Sequence, residues 1–228
     1  CTSILCLGLP GLFLCLLGVS IKRYFLGVLR GLGGSDMATI RELMQASLTV
    51  KQALLADEAV QAGMERAVAI MTGALCSGGR VLFCGNGGSA ADAQHFAAEL
   101  SGKFLLDRRA LDAEALHVNT SFLTAYANDF SYDQVYARLV QAKGRRGDVL
   151  IGISTSGNSK NIVLAFEEAH RIGMQTVGMT GAGGGAMVAV SDVLLAMPSK
   201  ETPRIQECHL VVGHILCQLV EAACCGGG

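Results

Sequence analysis

Residues 40–76 carry apolar side chains at spacings of three and four, the period of an amphipathic helix. The pattern breaks at Ala56-Asp57-Glu58, so it predicts two helices. Beyond Gly78-Gly79 the period changes. Residues 80–84 form a short apolar run that reads as a buried strand, and 90–100 return to a helical pattern. The same alternation continues to the end. Strands are predicted at 113–118, 148–153, 176–179 and 193–197. Helices are predicted at 121–127, where Asn128-Asp129 ends the pattern, at 134–142, and from Asn161 onward. A long closing helix spans 204–223, with Pro203 just before it as expected at a helix start. Strands alternating with helices imply an α/β fold: a three-layer, doubly wound parallel sheet flanked by helices, preceded by an N-terminal helical pair. Such sheets bind ligands beyond the carboxyl ends of their strands.

Two turns lie at that end. The run Ile153-Ser154-Thr155-Ser156-Gly157-Asn158-Ser159 separates a buried strand from a helix. It places four hydroxyls, Ser154, Thr155, Ser156 and Ser159, where unpaired backbone N–H groups and the positive end of a helix dipole collect. One Ser or Thr there would read as a helix cap. Four, with a glycine, read as a seat for phosphate. The earlier turn, Gly85-Asn86-Gly87-Gly88-Ser89, would let a ligand approach the backbone closely. It matches neither G-x-G-x-x-G nor a P-loop.

Composition narrows the picture. The 228 residues carry a formal net charge of -1 and no dense basic block, so nothing marks a nucleic-acid surface. Of the nine cysteines, Cys84, Cys208 and Cys217 sit inside apolar elements, where a free thiol behaves as a small hydrophobe. A reduced, cytoplasmic setting is expected. Residues 4–19 are almost wholly apolar and are followed by Ile21-Lys22-Arg23. They lack a basic leading region and fall short of the roughly 20 residues a spanning helix needs. A signal anchor is one reading; an extension outside the fold is favoured, because Met37-Ala38-Thr39 looks like an ordinary start. Residues 1–36 are therefore set apart from a single domain over 37–228, for which no membrane is expected.

Several polar groups could do chemistry. His95 and Glu99 are four apart on a predicted helix, with Cβ atoms about 5–6 Å apart. They could share a metal, act as an acid/base pair, or bond on the surface. The closing helix carries Gln206, Glu207, His209 and His214 among apolar neighbours. Spacing does not choose between the two histidines. Asn128-Asp129 reads equally as a helix end or as a pair for sugar hydroxyls.

Four segments in this order resemble a known family: Cys84-Gly85-Asn86-Gly87-Gly88-Ser89-Ala90, His95-Phe96-Ala97-Ala98-Glu99-Leu100, Gly152-Ile153-Ser154-Thr155-Ser156-Gly157-Asn158-Ser159 and Arg204-Ile205-Gln206-Glu207. They are similar to the sugar isomerase (SIS) fold and, within it, to the phosphoheptose isomerases, over about residues 38–223. The resemblance implies interconversion of sedoheptulose 7-phosphate and D-glycero-D-manno-heptose 7-phosphate, on the way to heptose for bacterial lipopolysaccharide core or related glycans. It implies that Ser154, Thr155, Ser156 and Ser159 hold the phosphate. Asn86, Gly87, Gly88, Asn128, Asp129, Glu99 and Gln206 would contact the substrate. Glu99 would be the catalytic base and His214, rather than His209, the catalytic acid. One zinc per subunit would sit on His95, Glu99, Gln206 and His214. The family's homotetramer is implied too, as is a basic residue at Lys103. Within this fold the rivals are a non-catalytic scaffold that binds the bacterial replication initiator, and a sugar-phosphate-sensing regulatory domain. Glu99 and His214 favour the enzyme.

Gln206 and His214 are eight residues apart, roughly 12 Å along a continuous helix. Side chains lean toward the helix N-terminus, so two from one helix reach a single ion poorly. Either the site is completed across a subunit interface or the helix begins after Gln206.

Overall fold

A computed structural model describes residues 38–226. The apolar stretch 4–19 lies outside the described residues, as do Gly227 and Gly228. The chain divides into two units, Cys1–Leu43 and Met44–Gly228. In the first, Thr39 and Glu42 make a reciprocal cap at the start of helix α1 (Ile40–Leu55). The Thr39 backbone N–H donates to Glu42 Oε2 at 2.6 Å, and the Glu42 N–H donates to Thr39 Oγ1 at 3.2 Å.

The second unit holds the rest. Asp57 ends the first helical run by capping α2 (Glu58–Cys76), accepting from the N–H groups of Ala59 and Val60. Then come β1 (Val81–Gly85), α3 (Gly88–Ser101), β2 (Ala113–Ala115), α4 (Thr120–Asp129), α5 (Val135–Lys143), β3 (Val149–Ser154), α6 (Lys160–Ile172), β4 (Gln175–Thr180), β5 (Val193–Ala196) and α7 (Thr202–Cys225). The five strands form one parallel sheet in the order β2-β1-β3-β4-β5, with Val81 opposite both Ala113 and Val149. The chain leaves β1 toward β2, then returns to the other side of β1 for β3. That reversal is the topological switch point, where doubly wound sheets open a crevice for ligands.

The period of two in the strands builds the layers. Phe83, Ile151, Ile153, Val177 and Met179 face one side and pack with Met71, Phe96, Leu100, Val212 and Leu216 of α2, α3 and α7. Leu82, Cys84 and Leu150 face the other and pack with Tyr136, Leu139, Ile162 and Phe166 of α5 and α6. Each fully buried side chain of this size contributes roughly 1.5–3 kcal/mol. By length and composition alone α7 could cross a membrane. Its Ile205, Cys208, Val212, Leu216, Cys217 and Val220 instead fill the core.

The structure corrects three expectations. The predicted strand over 113–118 is only three residues long, because Leu116–Val118 turn into a 3-10 helix that leads to the Asn119 cap of α4. Asn128 and Asp129 do not follow α4 but form its last turn. The helix also does not begin after Gln206: α7 runs unbroken through Gln206 and His214.

Candidate active site

The two predicted ligand turns meet at the switch point. Asn86, just after β1, and Asn161, in the first turn of α6, exchange amide hydrogen bonds, each donating Nδ2 to the other's Oδ1 at 2.9 Å. The Tyr132 hydroxyl donates to the same Asn86 Oδ1 at 3.0 Å. The buried Tyr136 hydroxyl donates to the Gly85 carbonyl. Asn86 is thus a clamp joining the ends of β1 and β3, and a ligand would meet the backbone N–H groups of its turn. Asn128 and Asp129 are exposed, with Asn128 Nδ2 donating to Asp129 Oδ1 at 3.0 Å.

The hydroxyl loop is not a helix cap. Ser159 occupies the cap position of α6 but makes no capping bond. It faces inward to Ser154, with their Oγ atoms 2.8 Å apart. Ser154 is buried, Thr155 and Ser159 are half-buried, and Ser156 is exposed. Gly157 holds φ +66, which brings the loop so close to Gly184 that a Cβ would overlap its carbonyl. Asn158 fastens the far side: its Oδ1 accepts from the Ala186 N–H at 2.9 Å. The first N–H groups of α6 have no side-chain cap, so they and the hydroxyls can serve an anion together.

A second constellation lies on α3 and α7. These helices run side by side in the same direction. Gly213 packs on the Phe96 ring, and a Cβ there would overlap it. Gln206 rests its amide on Gly88 two turns of α3 earlier. Next to the Phe96 contact, His95 Nε2 lies 3.0 Å from Glu99 Oε1 and 3.1 Å from His214 Nε2. The His95 and His214 rings meet edge to face at 5.0 Å. His95 and Glu99 border open solvent: with Ala91, Gln94, Ala98 and Lys103 they line a shallow depression of about 490 Å³, and His214 lies half-buried behind them.

Three electron-rich atoms here point at one another. One proton on His95 Nε2 can serve Glu99 or His214, never both. A cation among them would satisfy every lone pair at once. Their ligand atoms lie within 4.8 Å of one another, and two imidazoles with a carboxylate are a donor set that zinc accepts while leaving a position open. The residues therefore fit the metal that the resemblance implies. Gln206 sits at the glycine turn in this chain rather than beside His95.

His209 is a different kind of histidine. It is fully buried and donates Nε2–H to the Thr180 carbonyl at 3.1 Å, while its Nδ1 has no hydrogen-bond partner. Burial pulls its pKa down to about 4, against the Thr180 bond. Its helical phase gives the reason. Ile205, Cys208, His209, Val212 and Leu216 are all buried on one side of α7, and His214 falls off that stripe, half-buried.

Sequence reasoning missed the scaffold behind the cluster. The buried Glu221 accepts from the N–H groups of Phe104, Leu105 and Leu106 at 2.8–3.2 Å and from Arg108 Nε at 3.0 Å. Arg108 in turn donates to the carbonyls of Glu99 and Gly102, at 2.9 and 3.0 Å. This ties the segment after α3 to the end of α7 and stacks Phe104 on His214, with ring centroids 5.8 Å apart. Burial alone would raise the Glu221 pKa; the three backbone donors and Arg108 outweigh it and hold the group below its ordinary value. On α3, Asp92 keeps one carboxyl oxygen buried without a partner. Burial pushes its pKa up, and the charge of His95 opposes that.

Comparison with known proteins gives consistent results. Residues 43–181 match the SIS domain family. A phosphoheptose isomerase of Rhodospirillum rubrum is 54% identical over 159 residues, covering 70% of this chain and 85% of the relative. The solved structure of phosphoheptose isomerase from Neisseria gonorrhoeae superposes with a TM-score of 0.74 at 42% identity, covering 81% of this chain and all of that one. The structure of a phosphoheptose isomerase from Francisella tularensis superposes at 0.76 with 36% identity, covering 79% and 95%.

Proposed function

We propose, because this chain belongs to the SIS-domain phosphoheptose isomerases and is a sugar-phosphate isomerase, that it interconverts sedoheptulose 7-phosphate and D-glycero-D-manno-heptose 7-phosphate. The observation that carries this reading is the pairing of two sites. A hydroxyl-lined seat at the end of β3 suits a phosphate. An acid/base cluster on α3 and α7 suits the reacting end of a sugar.

An aldose–ketose isomerisation moves a proton between two adjacent carbons through an enediol, and also moves one between their oxygens. Glu99 takes the proton from C1 of the ketose and returns it to C2. His214 gives a proton to the C2 oxygen and recovers one from the C1 oxygen. Ser154, Thr155, Ser156 and Ser159 hold the phosphate, so the chain of the sugar is fixed at its far end. Asn128, Asp129 and the backbone at Asn86, Gly87 and Gly88 face its hydroxyls. Zinc, when bound by His95, Glu99 and His214, would supply Lewis-acid polarisation of a carbonyl oxygen.

The fourth ligand that the resemblance implies, Gln206, is reached across a subunit interface in this reading. Two features support it. The helix is continuous, so Gln206 and His214 of one chain are roughly 12 Å apart along it. Val211, Ile215 and Leu219 leave an apolar stripe beside His214, each 37–45% exposed, as a contact with a second copy would require. A homotetramer of the family's kind would cover it. The six free cysteines among the described residues fit a reducing cytoplasm, where the product would supply heptose for lipopolysaccharide.

Turnover of sedoheptulose 7-phosphate, measured with zinc and with chelator, tests the proposal. Wild type converts it; Glu99→Gln and His214→Ala are slowed at least a hundredfold. A wild type without turnover that captures the bacterial replication initiator would instead be a scaffold.

A further inference from the structure

We propose that Cys76 and Cys224 are an oxidisable pair that closes into a reversible intramolecular disulfide when a hydroperoxide reaches the protein. Cys76 is the last residue of α2, and Cys224 lies in the last turn of α7. They are 148 positions apart in sequence, yet their sulfurs are 3.6 Å apart. That is already contact distance; a disulfide needs about 2 Å. In the proposal, rotation of the two side chains at the helix ends closes the remainder.

The pair differs from the three buried thiols, and unlike the half-buried Cys225 its two sulfurs are in contact. Cys84, Cys208 and Cys217 are buried, and burial pushes the Cys217 thiol up to about 12, which makes it unreactive. Cys76 is exposed and Cys224 is half-buried. Burial, followed by the bond from Cys76, raises the Cys224 thiol. Cys76, the exposed member of the pair, is the one a peroxide reaches first, so oxidation starts there. Its thiolate attacks one peroxide oxygen, the O–O bond breaks, and a sulfenic acid and hydroxide form. The Cys224 sulfur then attacks the Cys76 sulfur, the S–O bond breaks, and water leaves with the Cys224 proton. Two thiols and hydrogen peroxide become one disulfide and two waters. A dithiol reverses it by exchange.

The crosslink would staple the end of α7 to the end of α2. It lies ten residues beyond His214, about 15 Å along α7, so it acts on the scaffold and not on the reacting groups. Joining residues so distant in sequence removes much of the unfolded chain's freedom.

Full-length reduced protein treated with a small excess of hydrogen peroxide tests this. We expect a mass loss of two hydrogens, a Cys76–Cys224 linked peptide on non-reducing mapping, and a Tm raised by roughly 5–10 °C. Dithiothreitol should return all three. Cys225→Ser should keep the response, and Cys76→Ser should lose it. Linkage of Cys224 to Cys225, or oxygen adducts on Cys76 with no linked peptide in wild type, would overturn the proposal.

Discussion

The hydroxyl loop and the histidine cluster are built in opposite ways. Residues 153–159 fold back on themselves, so their groups are neighbours in sequence and in space. Ser154 meets Ser159, and Asn158 bonds back to Ser156. The cluster joins His95 to His214 across 119 positions. It depends on a glycine that lets two helices touch, and on a buried ion pair that positions the segment between them. The loop's hydroxyls are brought together within one turn, with Gly184 and Ala186 only fastening it from outside; a cluster whose groups must converge from two helices needs both helices in register. Damage to the fold should therefore reach the cluster before it reaches the loop.

That contrast can be broken most severely at the reacting groups. His214→Ala should lower kcat by about 10²–10⁴-fold, the usual span for a general acid or base, with Tm nearly unchanged because the side chain is half-exposed. Steady-state kinetics and a thermal melt read both. Next is the scaffold. Arg108→Ala leaves the Glu221 carboxylate buried and short of a partner. It should cost about 3–5 kcal/mol in urea unfolding, and kcat should fall more than KM rises, because Phe104 and Glu99 lose their anchor.

Acid should act on the scaffold as well. His209 is held at about 4, below its ordinary value, so the folded state binds its proton less readily than the unfolded chain does. Its stabilising effect is complete above about 6.5 and is lost as pH falls toward 4. Asp192 and Glu221 are also lowered and act in the same direction. For Asp192, burial is offset by bonds from Thr176 and His170. Urea midpoints between pH 7 and pH 4 should fall, with His209 alone giving a loss of about 3 kcal/mol. The smallest effect should be at the loop. Ser159→Ala removes one hydroxyl and should raise KM roughly tenfold, the equivalent of one hydrogen bond to a charged group, while Tm stays within a degree or two.

The same contrast explains what the sequence made legible. The loop, the strand–helix alternation and the pair His95/Glu99 are local patterns, and apart from the strand over 113–118 each appears in the structure within a residue or two of where its period placed it. The difference between His209 and His214 is a local pattern too: His209 continues the apolar stripe of Ile205, Val212 and Leu216, and His214 does not. The Asn86–Asn161 clamp and the Arg108–Glu221 pair left no such trace. Their partners are 75 and 113 positions apart, and nothing in the spacing of polar residues foretells which of them a fold will bring together. Leu116-His117-Val118 read as strand because three residues are too few to show a period of their own.

The central claim is that Glu99 moves the carbon proton while the loop merely holds the sugar. The direct test is Glu99→Gln, assayed by NMR for conversion of sedoheptulose 7-phosphate and by calorimetry for its binding. The account predicts conversion reduced at least a hundredfold, with substrate affinity within a few-fold of wild type. Conversion that survives in Glu99→Gln, or binding that disappears with it, would contradict the division of labour between the two regions.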